Sequence, residues 1–141
     1  LLLARACPER IAGLIGIAAA PDFTEDSLLP SLTVVERAAM DRVGLIERPS
    51  GYSDGPYIFT QRLIDQGRAN LVLRAPLALP FPTRFLQGTA DTDVPVAVAQ
   101  QLFDHASGPD IRLTLVKGAD HRFSTPDCLA LIESSLDEIL A

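Results

Sequence analysis

The sequence predicts an α/β architecture: three mostly parallel strands with helices on their flanks. Three observations carry this expectation. Ile11–Ala20 (IAGLIGIAAA) is a continuous apolar run with small residues, the mark of a strand buried on both faces of a parallel sheet. Arg84–Gln87 is a short run ended by Gly88, and Ile111–Val116 (IRLTLV) is another, ended by Lys117-Gly118-Ala119-Asp120. Between and after these runs lie stretches with helical spacing, and strands that alternate with helices build parallel sheets.

The elements follow in order along the 141 residues. Leu1–Ala6 reads as the tail of a helix. It is closed at Cys7-Pro8, because proline cannot continue it. Asp26 to about Asp41 places Leu28, Leu29, Leu32, Val35, Ala39 and Met40 at helical spacing, with Pro30 breaking or restarting the helix. Gly44–Arg48 and Tyr57–Thr60 are short apolar pieces on either side of the turn-rich Pro49–Pro56, a hairpin pattern. Gln61 to about Leu73 is a second amphipathic helix carrying Leu63, Ile64, Leu71 and Leu73, with Gly67 as its weak point. Pro76, Pro80 and Pro82 make an extended lead into the strand before Gly88. Val96–Ala106 is a helix with Val96, Val98, Ala99, Leu102 and Phe103 inward, ended by Ser107-Gly108-Pro109. In the last helix Thr125 is the cap and Pro126 the first position, with Leu129, Ile132, Leu136 and Ile139 on one face.

Composition excludes several functions. The chain is 48% hydrophobic and 21% charged with a net charge of −6, so it has no electrostatic footprint for nucleic acid. Two cysteines, Cys7 and Cys128, form neither a metal-ligand cluster nor a disulfide framework. No metal or cofactor is expected. No apolar run approaches the ~18 residues of a membrane span.

The chemistry gathers where strands end. Asp91 follows the strand closed by Gly88, and His121 follows the strand closed by Gly118. The loop past a strand's carboxyl end is where open α/β sheets place reactive groups. A histidine suits a general base because its pKa lies near neutrality. A carboxylate can fix the tautomer of that base and stabilise its charged form. Two other acids compete with Asp91. Asp93 reads as a cap for the helix opening at Val96 or for its entry turn, and Asp22, just past the first strand, reads as the start of the Phe23–Asp26 turn through its side chain. Asp120 reads as a turn residue, and His105 as a structural histidine at a helix carboxyl end. Gly51-Tyr52-Ser53-Asp54-Gly55 matches Gly-x-Ser-x-Gly. Its flanks, Pro49 and Pro56, do not supply the strand before and helix after that a nucleophile elbow needs.

The segments Gly88–Pro95 (Gly-x-x-Asp-x-x-Val-Pro) and Gly118–His121 (Gly-Ala-Asp-His), in this order and each after a strand, resemble the alpha/beta-hydrolase superfamily. Pro8–Leu14 resembles that family's passage from the helix after the nucleophile into the next strand. Ala18–Glu25, Glu47–Ser50 and Gly118–Ser124 resemble small bacterial hydrolases and the mitochondrial palmitoyl-protein thioesterase group. The resemblance covers the whole chain but only the carboxyl-terminal part of the family's domain. It implies Asp91 as triad acid, His121 as general base, and a nucleophilic serine upstream of residue 1. It implies a helical lid insertion at about residues 24–75. It implies hydrolysis of a small-molecule or acyl-protein ester or thioester, in a bacterial cytoplasm or a mitochondrion. The alternatives are a non-catalytic α/β binding module, in which Asp91 and His121 are polar loop residues, and another activity on the same fold, such as hydrolysis of carbon–carbon or carbon–halogen bonds.

Overall fold

The computed structural model describes residues 1–141. Helix α1 is Leu2–Ala6, and a 3-10 turn covers Pro8–Arg10. Strand β1 is Leu14–Ile17. A wide π turn at Thr24–Leu28 leads into the short α2, Leu29–Ser31, and then α3, Val34–Val43. Strands β2 (Leu45–Arg48) and β3 (Tyr57–Thr60) precede α4 (Gln61–Ala69). Then come β4 (Leu77–Ala78), β5 (Thr83–Gly88), α5 (Val96–His105), β6 (Ala106–Ser107), β7 (Ile111–Val116) and α6 (Pro126–Leu140). The chain forms two compact units: Leu1–Pro21 with Val72–Ala141, and Asp22–Leu71.

The first unit is organised by a three-stranded parallel sheet in the order β1-β5-β7. Leu14 pairs with Thr83 and Ile17 with Leu86, while Thr83 pairs with Ile111 and Gly88 with Val116. The central strand β5 is buried at all six positions. Alternation along it feeds two cores. Phe85 packs with Leu77, Leu79, Phe81 and Leu102, whereas Leu86 packs with Ala119, Phe123 and Cys128. Arg84 is the anomaly in this strand, a cation whose side chain is only 6% exposed. It is held by Asp110 at 2.9 Å and by Glu138 of α6 at 3.1 Å, and Arg112 of β7 joins both acids at 3.2 Å. A buried charge is tolerable only when paired in this way.

Several elements differ from the sequence expectation. The first strand covers only Leu14–Ile17 and is not buried on both faces, Ile17 being 40% exposed. The Ala18 N–H still donates to the Leu86 carbonyl at 3.0 Å, and its positive φ of 45° then turns the chain away. Helix α5 ends at His105, and Ala106–Ser107 pairs in parallel with Leu77–Ala78. A two-residue bridge is too short for periodicity to reveal. Helix α5 is preceded by Pro95 with no side-chain cap, so Asp93 does not cap the helix; it lies in the turn leading to it, its N–H donating to Asp91 Oδ1. The packed face of α6 keeps Ile132 and Ile139 of the expected stripe but is turned by about one residue at the other positions. Cys128 and Ser135 are buried, and Leu131 and Ile132 pack inward, while Leu129 and Leu136 are nearly half exposed. The final helix therefore buries a cysteine and a serine in preference to two leucines, a choice that only the neighbouring strand can make.

The second unit closes on Leu28, Leu32, Met40, Ile46 and Ile64. Its hairpin pairs Leu45 with Thr60 and Arg48 with Tyr57. The helix restarts after Pro30 at Thr33, which accepts from the Glu36 N–H while Glu36 accepts from the Thr33 N–H, a reciprocal capping box. Gly44, in the left-handed region, ends that helix. Val35, expected on the inner face, is 78% exposed. Helix α4 stops at Ala69, so Leu71 and Leu73 lie beyond it, and Leu73 belongs to the core of the first unit. Gly67 has a packing reason: a Cβ there would lie 2.1 Å from the Thr24 hydroxyl.

Glu36 joins two elements of this unit, because Arg48 of β2 donates to both its carboxylate oxygens at 2.8 and 3.1 Å. That guanidinium, with the Thr33 N–H and hydroxyl, holds the Glu36 carboxyl down to about 2 from 4.5. A carboxyl lowered on folding stabilises above its unfolded value, and the effect is lost as pH falls through the folded one. Acid unfolding of this unit between about pH 4.5 and pH 2 should therefore be shallower in Glu36→Gln than in the parent. Circular dichroism at 222 nm across that window checks it; superimposable acid transitions would rule it out.

Candidate active site

Two loops at the carboxyl end of the β5–β7 pair are stitched together by backbone. The Thr89 N–H donates to the Val116 carbonyl at 3.0 Å and the Ala90 N–H to the Ala119 carbonyl at 3.0 Å. The Gly118 N–H returns to the Thr89 hydroxyl at 2.9 Å. Gly88 permits this approach, since a Cβ on it would stand 2.2 Å from the Ala119 oxygen. The register of two strands thus sets the spacing of the two loops.

Asp91 sits in the first loop with its side chain fully buried. Its Oδ1 accepts from the Asp93 N–H at 2.9 Å and the Val94 N–H at 2.8 Å. Its Oδ2 accepts from Gln87 Nε2 at 3.1 Å and lies 3.0 Å from His121 Nδ1. Burial pushes this carboxyl up. The donors from Val94, His121, Gln87 and Asp93 outweigh burial and leave it below its ordinary value. An ionised carboxylate offers only lone pairs, so the proton on the His121–Asp91 bond belongs to Nδ1. In a neutral imidazole Nε2 is then the basic nitrogen. The His121 side chain is 35% exposed, so a buried acid backs a ring that reaches solvent.

The second loop is shaped by Phe123. This residue is 1% exposed, adopts a positive φ of 50°, and anchors the turn among Leu86, Ala119 and Cys128. Its N–H donates to the Asp120 carbonyl at 3.2 Å and to Asp120 Oδ1 at 3.3 Å, the turn role expected of Asp120. A bulky residue in the left-handed region is strained, and burial of the ring is what holds it there. Sequence reasoning did not single out Phe123 or Gln87.

The structure brings together Asp91 and His121 and sorts the other candidates. Asp22 opens the second unit. Its φ is 59°, and its carbonyl accepts from the Glu25 and Asp26 N–H groups, so its backbone makes the turn. His105 Nε2 is bonded to the Ala75 carbonyl at 2.8 Å. Ser53 lies between antiparallel β2 and β3, exposed, with its hydroxyl donating to the Gly55 carbonyl at 2.9 Å. A strand–turn–helix elbow is absent there. Asp91, Asp93 and His121 offer ligand atoms within 4.8 Å of one another. Both oxygens of Asp91 already accept two hydrogen bonds, so a cation would have to displace donors from it. The set suits proton transfer better than coordination.

A solved protein of Agrobacterium vitis, classed as a hydrolase, is 40% identical with a TM-score of 0.89, over 92% of this chain and 49% of that one. The mouse alpha/beta hydrolase domain-containing protein 10 is 28% identical with a TM-score of 0.84, over 97% of this chain and 55% of that one. The fold is that of the alpha/beta hydrolases. A curated relative, the mitochondrial palmitoyl-protein thioesterase ABHD10 of Rattus norvegicus, is 30% identical over 94% of this chain and 45% of its own length. No family model matches the chain. The chain spans a little under half the length of the curated relatives it matches. In an alpha/beta hydrolase the acid precedes the histidine along the chain, as Asp91 precedes His121 here.

Proposed function

We propose that this chain supplies the acid and the base of a serine hydrolase acting on esters or thioesters, with the nucleophilic serine outside Leu1–Ala141. The observation that carries the reading is the buried Asp91 carboxylate 3.0 Å from His121 Nδ1, which leaves Nε2 as the base. In the reaction the serine hydroxyl attacks the acyl carbonyl while His121 Nε2 takes its proton. Asp91 stabilises the imidazolium that forms. The tetrahedral intermediate collapses as His121 returns the proton to the departing thiol or alcohol. Water then attacks the acyl-enzyme by the same route, with His121 again as base and then acid. The hairpin position of Ser53 supports a nucleophile elsewhere.

An acyl thioester on a protein or small molecule is the substrate class favoured by the palmitoyl-protein thioesterases that match 94% of the chain. The unit Asp22–Leu71, separate in its packing, is the lid in this reading. The name of those relatives places them in mitochondria, and the Agrobacterium protein places a similar chain in a bacterium. No helix is long and apolar enough to cross a membrane.

The test is a fluorophosphonate probe and an S-palmitoyl substrate applied to the full-length protein. Covalent labelling and thioester turnover are expected; neither occurring would favour the binding module. The Ser53→Ala variant should keep labelling and turnover within roughly twofold, as exposed positions away from the chemistry usually do. Loss of the label in Ser53→Ala would return the nucleophile to this chain.

A further inference from the structure

The geometry points to Gln87 as the positioning residue that fixes the acid: its amide holds the Asp91 carboxylate in line with His121. The kinetic part rests on the hydrolase reading, and the rest on the hydrogen bonds around Gln87. Gln87 is the fifth residue of β5 and fully buried. Its Nε2 lies 3.1 Å from the Gly88 carbonyl, 3.1 Å from Asp91 Oδ2 and 2.9 Å from the Val94 carbonyl. One amide group therefore reaches the start, the middle and the end of the loop that carries Asp91.

The other half of the same side chain makes the point. Gln87 Oε1 is buried and accepts no hydrogen bond from the protein. A buried polar atom without a partner is rare and costs stability, so something must outweigh it. Rotating the amide would set Oε1 against two carbonyls and a carboxylate, all acceptors, so the three neighbours dictate the orientation and strand the oxygen. A hydrophobic residue would pack here without a stranded oxygen but would supply no donor. The position is used for its N–H bonds, and one of these shares Oδ2 with His121. Asp91 Oδ1 is pinned by two backbone donors, so Gln87 is the side chain that decides how Oδ2 meets the imidazole.

Two variants of the full-length protein test this. Gln87→Leu keeps the volume and removes the donor. It should lower kcat roughly 10- to 100-fold with KM little changed, the effect of a misaligned acid rather than of lost substrate binding. Gln87→Glu restores a donor only while its carboxyl is protonated. Burial beside Asp91 raises that carboxyl, so the variant's activity relative to the parent's at the same pH should fall as pH rises and the carboxyl ionises. The His121 Nδ1 proton should resonate far downfield in the parent and move upfield or broaden in Gln87→Leu. Parental kcat in Gln87→Leu, or a Gln87→Glu profile parallel to the parent, would overturn the proposal. If Gln87→Leu does not fold, the Gln87→Glu profile decides. If the parent itself neither labels nor turns over, the hydrolase reading has failed, and the imidazole proton still decides whether Gln87 positions Asp91: an unchanged resonance rejects it.

Discussion

Turnover of an acyl thioester by the His121→Ala protein is expected to fall by roughly 10⁴-fold or more, with KM little affected. On the mechanism proposed above, the imidazole takes the nucleophile's proton in one step and delivers it to the leaving group in the next, so removing it removes both transfers. Asp91→Asn should cost roughly 10³- to 10⁴-fold for a separate reason. The amide is nearly the same shape but cannot stabilise an imidazolium, and its NH2 group can turn the ring to the wrong tautomer. Because Asp91 is held below its ordinary pKa, it stays ionised across the neutral range and needs no adjustment to act. Stopped-turnover kinetics on the two variants, with circular dichroism to show that the fold persists, settle the matter. More than about a tenth of parental kcat in His121→Ala would remove the base from the mechanism.

Gly88→Ala is expected to be strongly damaging to the first unit. A methyl group there would stand 2.2 Å from the Ala119 oxygen and 2.7 Å from its carbonyl carbon. Both are backbone atoms, so no side chain can swing aside. The His121 loop must move off the Asp91 loop, which breaks the Ala90–Ala119 and Gly118–Thr89 bonds between them. Overpacking of this kind costs about 3 kcal/mol, and the stretched Asp91–His121 pair should cost activity as well. A urea midpoint equal to the parent's would contradict the prediction, because the loops would then have slack that the distances deny. Gly88 matters here through the space it leaves.

Residue pattern alone made much of this legible. Strands β5 and β7 lie where the short runs closed by glycine turns placed them, because the turn chemistry that ends a strand is local. The hairpin around Pro49–Pro56 and the cap at Thr125 were legible for the same reason, because turn and cap chemistry is local. Asp91 and His121 stood out because each follows a strand end. The face of α6, the exposure of Val35 and the β4–β6 bridge were not legible. Each depends on which neighbour an element meets, and helical spacing does not distinguish a stripe from one turned by a single residue.

The sequence by itself determined the strand–helix alternation and the two loops on which an acid and a histidine stand. Only the tertiary structure decided that Asp91, among its neighbouring acids, meets Nδ1 at 3.0 Å, and that Gln87 stands behind it with one oxygen stranded. Local pattern sets where a chain bends. Which atoms then touch depends on the register of parallel strands whose residues lie about thirty positions apart.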